Sequence, residues 1–200
     1  HVRHKSFFPT LVIMICSMIW GSTWLAIKIG LQHLPPFLFA GMRFILATVL
    51  LYGFMRIQKI RLPRDGYAWK TMLFLGFFQM LDYAFVFWGE QFIDSAIGAI
   101  LFATMPFFVV LLSYFMLKEH NITPIKVIGL TVSFAGVVII FVRDILDSKN
   151  SVPGDVSIIL ASLCGAIISV YAKKHANEIN AVTNTAVQMF MCAVLLSAVG

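Results

Sequence analysis

The chain has 200 residues, of which 60% are hydrophobic and 12% are charged, and it carries a formal net charge of +6. A soluble domain of this size cannot shield so much apolar surface from water, so the composition indicates a membrane protein. The positive charge does not indicate nucleic-acid binding, because the basic residues lie mainly in loops between long apolar runs.

The first apolar run follows a basic stretch, His1-Val2-Arg3-His4-Lys5. A signal peptide has a shorter apolar core and a small-residue cleavage site, so we predict an uncleaved first helix. The chain has no initiator methionine and stops inside an apolar segment. From these two features we expect a fragment of a longer protein.

Seven apolar segments are long enough to cross a bilayer of about 30 Å at about 1.5 Å per residue. The predicted spans are Phe8–Leu31, Phe37–Met55, Ala68–Trp88, Ala96–Leu117, Ile125–Val142, Val156–Ala172 and Val182–Gly200. The loops between them are short. The sequence therefore predicts an all-α polytopic membrane protein that lies in a lipid bilayer.

The fourth predicted span contains Pro106 near its middle. An interior proline removes a backbone hydrogen bond, but neighbouring helices in a membrane bundle can satisfy the carbonyl freed near Phe102. The charged turn Lys118-Glu119-His120 ends this span, and Thr123-Pro124 is a favourable start for the next helix. The pattern predicts a kinked helix, in which Pro106 is either a hinge beside a substrate site or a fixed kink.

Short motifs in the first 142 residues resemble one known family. They are Trp20-Gly21-Ser22-Thr23-Trp24, Leu34-Pro35-Pro36, Met42-Arg43-Phe44, Phe102-Ala103-Thr104-Met105-Pro106, Leu117-Lys118-Glu119 and Phe134-Ala135-Gly136-Val137. With this spacing they resemble the EamA domain of the drug/metabolite transporter superfamily, over residues 8–142 and weakly to Gly200. The resemblance implies a ten-helix bundle of two inverted five-helix repeats, with three helices missing here.

A faint internal repeat agrees with that plan. Ser17-x3-Gly21 in the first span resembles Ala161-x3-Gly165 in the sixth, although a chance match of small residues is the alternative. Because five is an odd number, a second five-helix unit would start on the opposite side of the membrane. We expect a first EamA repeat at 1–142, an outer linker at 143–155 and a truncated second repeat at 156–200.

The orientation follows from the lysines and arginines of the loops. With the N-terminus in the cytoplasm, the inner side receives 11 of the 15 basic residues and the outer side receives three, Lys28, Arg143 and Lys149. Arg43 lies within a span. We therefore predict a multi-pass protein of the bacterial inner membrane with a cytoplasmic N-terminus.

Two opposite charges, Arg43 and Asp82, lie within consecutive antiparallel spans. Both are about 10 Å below the outer surface, so they could form an ion pair, and each is costly alone in the bilayer. They could respond to substrate or protons beside a central cavity. The alternatives are a structural salt bridge, or an Arg43 side chain that extends to the interface.

Aromatic residues near the depth of Asp82 are candidates for the wall of such a cavity. Trp20 and Trp24 lie one turn apart on one helix face, and Tyr83, Phe87 and Trp88 follow Asp82 on the third span. Most aromatic stripes of this kind serve packing, and Trp88 near a span end is more simply an interfacial anchor. The candidate substrate-cavity residues are Trp20, Trp24, Arg43, Asp82, Tyr83 and Pro106.

The sequence has no HExxH, GxSxG, P-loop or GxGxxG motif, and no His, Cys or carboxylate cluster at metal-ligand spacing. We therefore predict no cofactor, metal or enzymatic activity. The leading interpretation is a secondary transporter that exports small metabolites, such as amino acids, or drugs by alternating access. A non-transporting membrane scaffold and an intramembrane lipid-modifying enzyme are the alternatives.

Overall fold

The computed structural model describes residues 7–117, 123–140, 152–177 and 179–200, and all regular structure in these ranges is helical. The helices there are α1 (Phe7–Gly30), α2 (Pro36–Ile57), α3 (Gly66–Gly89), α4 (Ser95–Phe102), α5 (Met105–Met116), α6 (Pro124–Ile140), α7 (Val152–His175) and α8 (Ala181–Val199). Their order and lengths match the all-α membrane architecture that the sequence predicts.

Six segments of the described chain are long and apolar enough to cross a membrane. Helices α1, α2, α3, α7 and α8 each form one of these segments. Helices α4 and α5 together form the sixth. Helix α6 is apolar but has 17 residues as described, so the count of seven spans and the ten-helix plan stay predictions. The predicted turn Lys118-Glu119-His120 and residues 143–151 of the predicted outer linker lie outside the described residues.

The packed centre of the bundle is formed by α2, α3, α7 and α8. Helix α3 packs against both α7 and α8, and α2 packs mainly against α8. Small residues allow these close approaches, as where Gly41 on α2 lies against the backbone of Ser197 on α8. Helix α1 lies at the periphery, and most of its side chains are exposed.

Contacts between helix ends show which ends lie together. Tyr67, near the start of α3, is hydrogen-bonded to His175 at the end of α7. Lys174 donates a hydrogen bond of 3.0 Å to the carbonyl of Met116, at the end of α5. We call this side of the bundle the Tyr67 end. The α2–α3 loop and Lys174 lie together there, in agreement with the side that the basic loops are predicted to share.

The opposite side, the Gly89 end, contains the last residue of α3 and the first turn of α7. A Cβ atom at Gly89 would lie 3.0 Å from the carbonyl oxygen of Gly154. Ser157, one turn further along α7, donates a hydrogen bond of 2.8 Å to the carbonyl of Phe85 on α3. The small residues Gly154 and Ser157 therefore bring the backbone of α7 close to α3.

The fourth span is interrupted at Ala103 and Thr104, just before Pro106, so the predicted kink takes the form of a turn between two helices. Helix α4 ends at Phe102, and α5 begins at Met105 with Pro106 in its first turn. The amide of Thr104 donates a hydrogen bond of 3.1 Å to the carbonyl of Leu101, which is a 3₁₀ turn. Proline fits the first helical turn because its missing N–H would have no intrahelical partner there.

Candidate functional site

A pocket of about 240 Å³ lies inside the bundle between α1, α3, α7 and the α4–α5 break. Its lining residues are Trp20, Thr23, Trp24, Ile27, Gln79, Asp82, Tyr83, Val86, Phe102, Met105, Gly165, Ile168 and Ser169. Asp82 lies seven residues before the end of α3, or about 10 Å from the Gly89 end. The pocket, which we call the Asp82 pocket, therefore lies at the depth of the hydrocarbon core.

Asp82 is the acidic residue of this pocket, and its side chain is only 7% exposed. Its Oδ2 atom accepts a hydrogen bond of 3.3 Å from Nε2 of Gln79, one turn earlier on α3. Its Oδ1 atom has no hydrogen-bond partner in the part of the chain that the structure describes. A buried polar atom left unpaired costs about 1–3 kcal/mol, and this oxygen is enclosed without the donor that would offset that cost.

Aromatic rings and small residues shape the walls around the carboxylate. The ring of Trp24 packs edge to face against Phe102, with 5.5 Å between ring centroids. Gly98 makes room for that ring, because a Cβ there would lie 3.0 Å from Trp24. Trp20 is 62% exposed and forms the rim. The structure thus brings together four of the predicted residues: Trp20, Trp24, Asp82 and Tyr83.

Arg43 does not line the pocket and forms no ion pair with Asp82. Its guanidinium carbon lies 5.4 Å from the ring centroid of Phe87, which is the geometry of a cation–π contact. Phe87 comes five residues after Asp82, so the two side chains leave α3 about 140° apart. A shared depth is therefore not sufficient for pairing, because the rotation about the helix axis points the two groups in different directions.

Three other aromatic and proline candidates also lie outside the pocket. Phe87 is fully buried in the core against Phe39, whereas Trp88 is 37% exposed and packs against Phe92. Pro106 is exposed, although Met105 beside it lines the pocket. The proline thus belongs to the break in the fourth span, and not to the pocket wall.

The pocket also contains polar residues that the sequence analysis did not single out as site candidates. Gln79 precedes Asp82 by three residues, a spacing that places both on one helix face and could have identified it. Thr23 and Ser169 come from α1 and α7, and only the packing of the helices brings them beside Asp82.

A second buried carboxylate, Glu90, follows α3 at the Gly89 end. Glu90 is 0% exposed, and neither of its carboxylate oxygens has a hydrogen-bond partner within the described ranges. The ammonium group of Lys28 donates hydrogen bonds of 2.7 and 2.6 Å to the carbonyls of Glu90 and Ile93. We call this group of three residues the Lys28–Glu90 junction.

Burial raises the pKa of Glu90 to about 8, while the positive charges of Lys28 and Arg43 act in the opposite direction. The junction joins the ends of α1 and α3 and has no exposed acidic atom, so it is a structural contact. The Asp82 pocket differs because its carboxylate borders a cavity.

A larger cleft of about 630 Å³ opens at the Tyr67 end, among the loops and helix ends there. The side chains of Asp65 and Asn180, which line it, accept hydrogen bonds from the first amides of α3 and α8. Because these groups cap helices, we assign the candidate site to the Asp82 pocket. In the described parts of the chain, no three His, Cys, Asp or Glu side chains converge as a metal site would require.

The family of this chain follows from its sequence over the region that builds most of the pocket. The profile of the EamA-like transporter family matches residues 8–142, which include α1 to α5 and therefore Asp82. The chain belongs to the EamA-like transporter family. The resemblance seen in the short motifs is thereby confirmed. No solved structure matches the chain.

Bacterial relatives resemble the chain over nearly all of its length. The uncharacterized transporter YoaV of Bacillus subtilis (strain 168) is 31% identical over 186 residues, which cover 92% of this chain and 63% of YoaV. Protein PagO of Salmonella typhimurium is 27% identical, covering 96% of this chain and 63% of PagO. The uncharacterized inner membrane transporter YedA of Escherichia coli K12 is 27% identical, covering 90% of this chain and 57% of YedA. The chain spans about three-fifths of the length of these relatives.

Proposed function

We propose that this protein is a secondary transporter of small molecules in the bacterial inner membrane, and that the Asp82 pocket forms part of its substrate cavity. Family membership supports transport, and the similarity to YedA, an uncharacterized inner membrane transporter, supports the inner membrane. The observation that carries the assignment of the site is a carboxylate, 7% exposed, that borders a cavity at the depth of the bilayer core. Ionisable groups in that position mark substrate or ion pathways in membrane proteins.

The proposed mechanism is alternating access between two inverted five-helix repeats, with export of metabolites such as amino acids, or of drugs. The greater length of the relatives supports a bundle larger than the helices described here. The positions of the helix ends support an odd number of membrane crossings between the end of α5 and the start of α7. Helix α5 ends at the Tyr67 end, α7 begins at the Gly89 end, and α6 lies between them in sequence.

The break between α4 and α5 supports a substrate site at this position. Phe102 ends α4 and Met105 begins α5, and both line the Asp82 pocket. Interrupted helices near the midplane form the substrate sites of many secondary transporters. Pro106 favours the interruption without entering the pocket.

We propose further that the Tyr67 end faces the cytoplasm, because the basic loops lie there. Single cysteines at Asp94 and at Gln58, each in a background without native cysteines, would test this orientation. An impermeant maleimide should label the cysteine at position 94 in intact cells and leave position 58 unlabelled. The reverse pattern would invert the proposed topology.

Transport itself is tested by untargeted analysis of metabolites released by cells that express the full-length gene product. A null strain with an empty vector is the reference. One or more compounds should accumulate outside the expressing cells, and Asp82→Asn should reduce that release at equal protein level. Release no greater than that of the vector control would contradict a role in export.

A further inference from the structure

Resting on the proposed transport function, we infer that the Asp82 pocket binds an organic ammonium ion, whose cationic group contacts the carboxylate of Asp82 and whose apolar part lies among the aromatic rings. The charge and the chemical class of this ligand follow from the hydrogen bonds of Asp82, the positions of the nearby cations and the composition of the walls.

The carboxylate of Asp82 has fewer donors than an ionised group at this depth requires. Gln79 supplies one hydrogen bond, at 3.3 Å, and Oδ1 receives none from the described residues. An ionised carboxylate can accept about four hydrogen bonds, and a buried charge without a partner is strongly unfavourable. A ligand that carries N–H donors and a positive charge supplies both missing interactions.

The two cations of the neighbouring spans are engaged elsewhere. The guanidinium group of Arg43 lies over Phe87, and Lys28 donates to the carbonyls of Glu90 and Ile93. Among the described residues that line the pocket, none has a basic side chain. An anionic ligand would therefore meet the Asp82 carboxylate with no compensating charge, which disfavours anions as well as favouring cations.

The walls favour an organic cation over a hydrated metal ion. Hard metal ions need six or more oxygen ligands, whereas this pocket offers one carboxylate and a few amide and hydroxyl oxygens. The aromatic side chains of Trp20, Trp24 and Tyr83 instead line the pocket, and a cation within about 6 Å of a ring face is attracted to it. Phe102 and Ile27 complete an apolar surface for the rest of the ligand.

Three probes that share one carbon skeleton test the inference: phenethylamine, 2-phenylethanol and phenylacetate, which are positive, neutral and negative at pH 7. Binding to the purified full chain in lipid nanodiscs would be measured by isothermal titration calorimetry. Phenethylamine should bind at least about tenfold more tightly than 2-phenylethanol, the size expected of one charge-assisted hydrogen bond in a buried site. Phenylacetate should bind most weakly.

Two amide substitutions identify the carboxylate responsible. Asp82→Asn should bring the affinities for the amine and the alcohol to within about threefold, while Asp82→Glu should retain the preference for the amine. Glu90→Gln is the matched control, since it makes the same change at a buried acid of the Lys28–Glu90 junction and should leave the preference intact. Where Asp82→Asn does not fold, the order of the three probes on the unmodified protein still decides.

Equal binding of amine and alcohol to the unmodified protein would overturn the inference, as would an amine preference that persists in Asp82→Asn. A preference lost equally in Glu90→Gln would overturn it too, because the effect would then not belong to the pocket. These are equilibrium measurements and do not require transport. Failure of the metabolite-release experiment would contradict the proposed function alone, and failure of the charge series would contradict the cation inference alone.

Discussion

The Asp82 pocket and the Lys28–Glu90 junction each contain a buried carboxylate that belongs to α3 or its C-cap, yet their surroundings differ. Asp82 borders a cavity and has one hydrogen-bond donor. Glu90 is fully enclosed, with Lys28 and Arg43 as its nearest positive influences. Burial of an acid is therefore a poor guide to function by itself. The distinguishing property is whether a ligand can reach the carboxylate.

The largest effect on stability should come from Lys28→Met, which removes two short hydrogen bonds and a positive charge near Glu90. A hydrogen bond from a charged donor contributes about 1.5–3 kcal/mol, and both carbonyls would lose that donor. The melting temperature in detergent should fall sharply. Lys70→Met, at an exposed position on α3, is the control and should change unfolding by less than about 0.5 kcal/mol. A small loss for Lys28→Met would mean that the junction does not hold α1 against α3.

A second test concerns the close packing of helices at the Gly89 end. Gly89→Ala would place a methyl group 3.0 Å from the carbonyl oxygen of Gly154, and overpacking of this kind costs about 1–3 kcal/mol. Gly53→Ala on α2 is the matched control, because nothing lies within 4 Å of its added Cβ. That change should stabilise the helix by up to about 1 kcal/mol. Equal melting temperatures for the two variants would show that α3 and α7 are not in such close contact.

The junction should also give the protein a characteristic pH dependence. The pKa of Glu90 is raised by burial from its ordinary value of 4.5 to about 8, so the folded state holds a proton that the unfolded state releases. The stability due to the neutral acid is fully present below about pH 4.5 and is lost as the pH rises to about 8. Melting temperatures between pH 5 and pH 9 should therefore fall more steeply for the unmodified protein than for Glu90→Gln. Parallel curves would mean that Glu90 has no raised pKa in the fold.

Sequence and structure agree on features that depend on composition and length, and less on those that depend on rotation about a helix axis. Six of the predicted spans, and the depth that Trp24 and Asp82 share, followed from hydropathy and from the rise per residue. The partner of Asp82 could not be predicted in this way, because depth does not determine which face of α3 meets α2. Likewise, the sequence places Lys28 near the outer end of the first predicted span and Glu90 just beyond the end of the third. Their burial depends on how the ends of α1 and α3 pack.

The smallest expected effect is the coupling between Arg43 and Asp82, and it distinguishes the structure from the sequence prediction. Arg43→Gln and Asp82→Asn, singly and together, form a double-mutant cycle that is measured by unfolding. Because Arg43 lies over Phe87 and the two charged side chains leave their helices in different directions, the coupling energy should stay below about 0.5 kcal/mol.

The matching cycle with Lys28→Met and Glu90→Gln sets the scale for a true contact. Residues that share a buried polar network couple by about 0.5–3 kcal/mol, and this cycle should fall in that range. A coupling above about 1 kcal/mol between Arg43 and Asp82 would show that the two residues pair in the membrane after all. Asp82 would then have a partner within the protein, and the reason to seek an external ammonium ion in its pocket would disappear.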